Sequence, residues 1–314
     1  GPTPAGPERR RRLAPGRRDP HLPPMTLVSP AQTLSRARAH NHIIDTLIAE
    51  RAPKLAASTA WPVLRPLLYG ALDYRKAVRM ADAIAPLSGR AALEHVSRLL
   101  GLAVTATGLD RVPAKGRVIV VCNHPTGIAD GVAVYDALKT VRPDLCFYAN
   151  ADAHRVSPGF GEVLIPVEWI EARRNLARTR ETLRLTREAM EAGRCLVIFP
   201  SGRLSRRQAD GTLADPPWAS SAVSLARKYE APVLPIHLQG PWSGLFHLFN
   251  RFSGELRDIT LFHELLNKQG RRFALTVGRP IPPEFLDGDP SEMIVRLKTH
   301  VERGLPADPD RSFA

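Results

Sequence analysis

Val118–Gly131 reads V-I-V-V-C-N-H-P-T-G-I-A-D-G, and its reading decides the fold. Val118–Cys122 is a short apolar run of mostly β-branched residues, the signature of a buried strand. The run ends abruptly in Asn123-His124-Pro125, and Gly127 and Gly131 mark a turn. Asp130 follows His124 by six residues on that turn. A strand end is a rigid mount for a base, and loops held by such scaffolds carry much of enzyme chemistry. A hydrogen-bonded core histidine beside a solvated aspartate is the plain alternative.

Working outward, apolar runs alternate with helical periodicity. Strands are expected at Leu102–Thr107, Val118–Cys122, Leu145–Ala149, Val163–Ile165, Cys195–Phe199, Val233–Leu238 and Phe273–Val277. Helices are expected at Val132–Lys139, Leu176–Gly193, Ser220–Tyr229 and Ser291–Arg303, with Gly193 as a stop signal. The pattern predicts an α/β fold: a mostly parallel sheet flanked by helices, preceded by an N-terminal helical region. Ligands in such sheets sit beyond the carboxyl ends of the strands. Pro235 inside Ala231–Gly240 predicts a strand edge or a bulge.

Three regions follow. Residues 1–30, rich in Pro, Arg and Gly, are expected to be a disordered tail. Residues 31–100 read as a helical region broken near Pro62, Pro66, Pro86 and Gly89. There Trp61, Val63, Leu64, Leu67, Leu68, Tyr69 and Leu72 mix with Arg65, Arg75, Lys76 and Arg79. That mixture suits a helix lying on a membrane surface or one packed on its own domain. Residues 101–305 form the α/β domain.

The chain of 314 residues is 44% hydrophobic and carries a formal charge of +13, which excludes a disordered protein and favours anionic partners. Residues 1–24 contribute six Arg against Glu8 and Asp19, so most of the charge belongs to the folded part. Cys122, Cys146 and Cys195 show no C-x-x-C spacing and read as buried free thiols of a reducing compartment. His40/His42 and Asp152 with His154 are too close together to make a zinc set, so no metal is assigned. No window holds the ~18 uninterrupted apolar residues of a membrane span, and no signal peptide is expected.

Cys195–Arg207, C-L-V-I-F-P-S-G-R-L-S-R-R, is the second informative stretch. A strand ends at Pro200, Ser201-Gly202 turn, and Arg203, Arg206 and Arg207 follow. Ser, Gly and Arg at a strand end can cradle an oxyanion such as phosphate. The loop runs on through Asp210-Gly211, a turn signal.

Taken in order, these stretches resemble the glycerolipid acyltransferase family, which includes the 1-acylglycerol-3-phosphate acyltransferases. Its N-H-x-x-x-x-D motif is matched by Asn123, His124 and Asp130, with five residues between His and Asp instead of four. Its F-P-E-G-T-R-S motif is matched by Phe199, Pro200, Gly202 and Ser205, with Ser201 in place of the Glu and Arg203-Leu204 in place of Thr-Arg. Its V-P-I-x-P motif is matched by Ala231–Pro235, and Val277-Gly-Arg-Pro-Ile281 resembles the late V-G-x-P-I. The G-x-I-x-I-x-R motif appears as Gly161–Val167 without its arginine, with Arg173 and Arg174, six and seven positions later, as the candidate substitutes. The resemblance covers roughly residues 95–285.

The resemblance implies transfer of a fatty acyl group from an acyl-thioester to a hydroxyl of a lysolipid. It implies no cofactor beyond the co-substrate, a thioester of acyl carrier protein or coenzyme A. His124 would be the general base and Asp130 its partner. Backbone N–H groups near Gly127 or Gly202 would meet the oxyanion, and Arg203, with Arg206 or Arg207 in reserve, the acceptor's anionic head. Asn123, Gly127, Ser201, Gly202, Arg203, Ser205 and Arg206 are the expected substrate-binding set. Trp242, Leu245, Phe246, Leu248, Phe249 and Phe252 make either an acyl slot or an ordinary core helix. The expected partners are the lysolipid, the donor and a membrane surface, with no nucleic acid, and the expected place is cytoplasmic, peripheral to the membrane inner face. Two other classes compete: a serine hydrolase using Ser201, and a basic membrane- or nucleic-acid-binding module.

Overall fold

The computed structural model describes residues 42–168, 175–208, 211–241 and 243–313, together with Gly1. The expected tail at 1–30, the substitutes Arg173 and Arg174, Asp210 of the turn signal and Trp242 of the apolar patch lie outside the described residues.

Helices come first: α1 (Ile43–Arg51), α2 (Pro53–Ala56), α3 (Trp61–Ala71), α4 (Tyr74–Ile84) and α5 (Gly89–Leu100). Ser88 caps α5, and Gly101, at φ 50°, ends it. Pro62 occupies the first turn of α3, where its missing N–H costs nothing. Pro66 was expected to break the chain, yet it lies inside α3. No residue of α3 is buried, so water can satisfy the carbonyl that Pro66 leaves without a donor. The break falls instead at Asp73, in the left-handed region at φ 54°.

The rest alternates: β1 (Ala103–Thr107), β2 (Val118–Cys122), α6 (Ile128–Leu138), β3 (Leu145–Asn150), β4 (Leu164–Val167), α7 (Leu176–Glu191) and β5 (Cys195–Ile198). A small hairpin, β6 (Arg206–Arg207) and β7 (Leu213–Ala214), precedes α8 (Ser221–Lys228) and β8 (Val233–Gln239). Then come α9 (Gly244–Asn250), α10 (Gly254–Asp258), α11 (Leu261–Leu266), β9 (Arg272–Val277) and α12 (Pro290–Thr299). The main sheet has the order β1-β9-β8-β2-β5-β3-β4. All its pairings are parallel except β8 with β9. This is the α/β arrangement that the alternation predicts.

β2 lies at the centre, buried along its whole length. Val118, Val120 and Cys122 face the N-terminal helices and α6, while Ile119 and Val121 face Trp218, α8 and α12. Burial on both faces explains why the run is continuously apolar rather than alternating. The three cysteines are free and buried. Burial pushes the Cys146 thiol up to about 11 and the Cys195 thiol up to about 12.

Pro235 corrects the expectation of an edge or bulge. It sits in β8, an interior strand, opposite Val121 of β2. Its carbonyl accepts from Gly278 N at 2.8 Å, so its nitrogen faces the point where β9 has just ended at Val277. One absent donor is tolerated there because regular pairing with β9 begins only at Ile236.

Candidate active site

The carboxyl ends of β2, β5 and β8 converge on one region. β2 delivers Asn123 and His124, and α6 starts only four residues later. The sequence pattern puts the first helical residue at Val132. The helix starts at Ile128 instead, so Asp130 belongs to its first turn. Gly127, at φ 96°, makes the sharp entry that a residue with a Cβ would resist.

Asp130 is fully buried, and donors surround it. Its Oδ2 accepts from His124 Nδ1 at 2.9 Å, Thr126 N at 2.9 Å and Gly127 N at 3.0 Å. Its Oδ1 accepts from Thr126 Oγ1 at 2.5 Å. An acid in the first turn also matches the positive end of the helix dipole. A carboxylate held this way can only accept, so the hydrogen of this contact sits on His124 Nδ1 and Nε2 points away from Asp130. The His124 ring stacks on Phe199, with centroids 4.5 Å apart. Thr126 was not foreseen; its place between His124 and Asp130 is the signal that could have found it.

The main chain of His124 is held as firmly as its ring. Its N–H donates to both oxygens of Asp215 at 3.1 Å, and its carbonyl accepts from Ser205 N at 2.8 Å. Asp215 is 5% exposed and also accepts from Ser205 Oγ at 2.5 Å and Trp218 Nε1 at 2.9 Å. Burial pushes its carboxyl above the ordinary range, while bonds from Ser205, His124 and Trp218 oppose that rise. Sequence reading missed Asp215 entirely, because it lies ten positions beyond Ser205 with no motif around it.

Several expected binding residues have internal duties. Asn123 gives Nδ2 to the Leu238 carbonyl at 2.9 Å and takes the Leu238 N–H on Oδ1 at 2.7 Å, stitching β2 to β8. Ser205 is 2% exposed, and its hydroxyl is engaged by Asp215. Gly127 N–H is taken by Asp130, and Gly202 N–H by the Phe199 carbonyl at 2.9 Å. These two N–H groups are therefore engaged within the protein. Ser201 gives its hydroxyl to the Arg203 carbonyl at 2.8 Å, not to a histidine. Arg203 and Arg206 are exposed. Leu204, between them, lies over Gly127, where a Cβ would meet its side chain.

A cleft of about 560 Å³ opens beside the His124 turn, lined by Asn123, Pro125, Ser205, Arg207, His237 and Gln239, among others. Of the three arginines, Arg207 is the one that borders it, not Arg203. Burial holds His237 below the usual histidine range, while a backbone bond at Val301 opposes that fall. His237 and Gln239 were not among the expected site residues; they extend along β8 beyond Pro235. Among the described residues no cluster of His, Cys, Asp and Glu could hold a metal ion.

Comparison with known proteins bears on this geometry. The family described as Acyltransferase matches residues 103–239, from β1 through β8. A protein of Phocaeicola vulgatus named lyso-glycine lipid O-acyltransferase is 27% identical over 202 residues, 62% of this chain and 70% of its own length. A protein of the same name from Bacteroides thetaiotaomicron is 24% identical over 201 residues, 62% of this chain and 72% of its own. Among solved structures, the 1-acyl-sn-glycerophosphate acyltransferase PlsC of Thermotoga maritima aligns with a TM-score of 0.45 at 16% identity, covering 86% of this chain and 98% of that one. With the ordered motifs around His124, Phe199 and Pro235 and an acyltransferase match over residues 103–239, this chain resembles the glycerolipid acyltransferase family.

Proposed function

We propose that the enzyme transfers a fatty acyl group from a thioester of acyl carrier protein or coenzyme A to the hydroxyl of a lysolipid, with His124 as general base. The observation that carries this reading is the 2.9 Å contact between His124 Nδ1 and a fully buried Asp130. An alcohol is a poor nucleophile at neutral pH and needs a base within hydrogen-bond reach. His124 Nε2 takes the hydroxyl proton as the oxygen attacks the thioester carbonyl. The tetrahedral adduct collapses, the C–S bond breaks, and the imidazolium returns the proton to the departing thiolate. Asp130 fixes the ring and stabilises the imidazolium between these steps.

For the acceptor, the names of the two bacterial relatives favour a lyso-glycine lipid or a similar lyso-aminolipid over lysophosphatidic acid. Ser201 and Leu204, standing where the family has Glu and Arg, agree with a different headgroup. Arg207, on the wall of the cleft, is placed to meet its carboxylate. Incubating the protein with lyso-glycine lipid, lyso-ornithine lipid and lysophosphatidic acid, each with both thioesters, and reading the products by mass spectrometry tests the reading. An acylated lyso-aminolipid is expected; no O-acylated product from any pair would sink it.

Ser201→Ala is expected to keep activity within about threefold, since its hydroxyl only closes its own turn. Full loss, together with an acyl-serine trapped in the wild type, would return the serine-hydrolase class.

The protein meets its lipid from one side, at the inner face of the membrane. Among the described residues no helix is long and apolar enough to cross a bilayer. Helix α3 instead presents Val63 and Leu67, 68% and 67% exposed, beside Arg65. Trp61 and Leu68 of the same stretch pack against the core. On α9, Leu245 and Phe249 pack inward while Leu248 points out, and Phe252 just beyond the helix is exposed too. Affinity for anionic vesicles, read by sedimentation, is expected to fall at least about tenfold in Val63→Ser/Leu67→Ser, since two exposed aliphatic side chains would lose their burial in the bilayer. Unchanged binding would remove α3 from the contact.

A further inference from the structure

The structure assigns a positioning role to Asp215: its carboxylate, with its own main chain braced by Glu302 in the π-helical turn after α12, sets the main chain of His124 and so aims the base. This inference rests on the proposed role of His124. Three observations carry it. Both Asp215 oxygens accept the His124 N–H, at 3.1 Å each. The same carboxylate takes Ser205 Oγ at 2.5 Å, and Ser205 N in turn holds the His124 carbonyl at 2.8 Å. Asp215 itself is fixed on the far side, where Trp218 Nε1 donates at 2.9 Å and the Asp215 N–H donates to Glu302 Oε1 at 2.7 Å. Glu302 is paired with Lys298.

His124 is thus held at three points: its ring by Asp130, its N–H by Asp215 and its carbonyl by Ser205. The strand end supplies none of these, because β2 stops pairing at Cys122. A buried carboxylate is costly unless donors surround it. Here every group facing the two oxygens is a donor, so the residue is matched to the backbone it holds. The brace from Glu302 lies beyond residue 239, outside the span matched by the family. A misplacement of about 1 Å at a reacting group, caused from a distance, costs on the order of 10²-fold in rate.

The test uses Asp215→Ala and Asp215→Asn in the full chain, assayed for acyl transfer with kcat and KM measured separately. The alanine variant should lose about 10²-fold in kcat while KM for both substrates stays within about threefold. The asparagine variant should recover most of that loss. Its carbonyl oxygen still accepts the His124 and Trp218 N–H groups, and the Ser205 hydroxyl rotates to accept from the new amide. A folded alanine variant with normal kcat overturns the inference, as does an asparagine variant as slow as alanine, which would make charge and not aim the requirement. A loss carried by KM would instead make Asp215 part of a binding site. Should the alanine variant not fold, hydrogen exchange at the His124 amide decides: it should be protected in the wild type, and fast exchange there overturns the inference. His124→Ala runs alongside. If that variant stays active the base assignment fails; if it is inactive while Asp215→Ala is normal, only the present inference fails.

Discussion

Replacing His124 by alanine is expected to slow acyl transfer by about 10²–10⁴-fold in a protein that still folds, the range set by loss of a general base. The asymmetry between activity and stability follows from the site. The His124 ring makes one hydrogen bond, to Asp130, and one stack, on Phe199. After its removal Asp130 keeps the Thr126 and Gly127 donors, so the start of α6 stays satisfied. Loss of a single hydrogen bond of this kind costs on the order of 1–3 kcal/mol. Thermal unfolding and steady-state rates on one preparation check both halves. Near-normal turnover would return His124 to the role of an ordinary core histidine.

Asp130→Ala should do more harm, because Asp130 has two jobs. It orients the base, and it closes the turn that starts α6. The substitution leaves the N–H groups of Thr126 and Gly127 and the Thr126 hydroxyl facing an apolar methyl in a fully buried place. Unsatisfied buried donors cost roughly 1–3 kcal/mol each and do not add simply, so a loss of about 3 kcal/mol is expected, with activity falling at least as far as in the histidine variant. Asp130→Asn separates the jobs. Its oxygen can stay on the three N–H donors while its amide donates to Thr126 Oγ1, which turns to accept. The fold and the histidine tautomer survive, and only the negative charge beside the imidazolium is lost. Stability should return to within about 1 kcal/mol of the wild type, while activity stays depressed on the order of 10²-fold. Full activity in Asp130→Asn would show that the carboxylate acts through geometry alone.

Five residues separate His124 from Asp130, one more than in the family motif. Gly127, at positive φ, turns the chain into α6, and Asp130 reaches back over that turn. A helix start does this without a bulge, since a first-turn acid already points toward the N–H groups that precede it.

The sequence by itself determined the order of strands and helices, because burial on both faces requires unbroken apolar runs and because Gly and Pro punctuate the chain between them. It also determined which histidine and which aspartate meet, since six residues along a tight turn leave little freedom. It read the amphipathic dress of 61–79, where aromatic and basic residues stand side by side. What only the tertiary structure decided are relations across long stretches of chain. Pro235 could be interior because β9 ends beside it, and a proline carries no record of where its neighbour stops. Asn123, Ser205 and the N–H groups of Gly127 and Gly202 looked available for substrate, yet Leu238, Asp215, Asp130 and Phe199 already engage them. Asp215 was invisible for the same reason. It reaches His124 across 91 residues of sequence and Glu302 across 87 more, and a carboxylate shows what it holds only when the chain has folded around it.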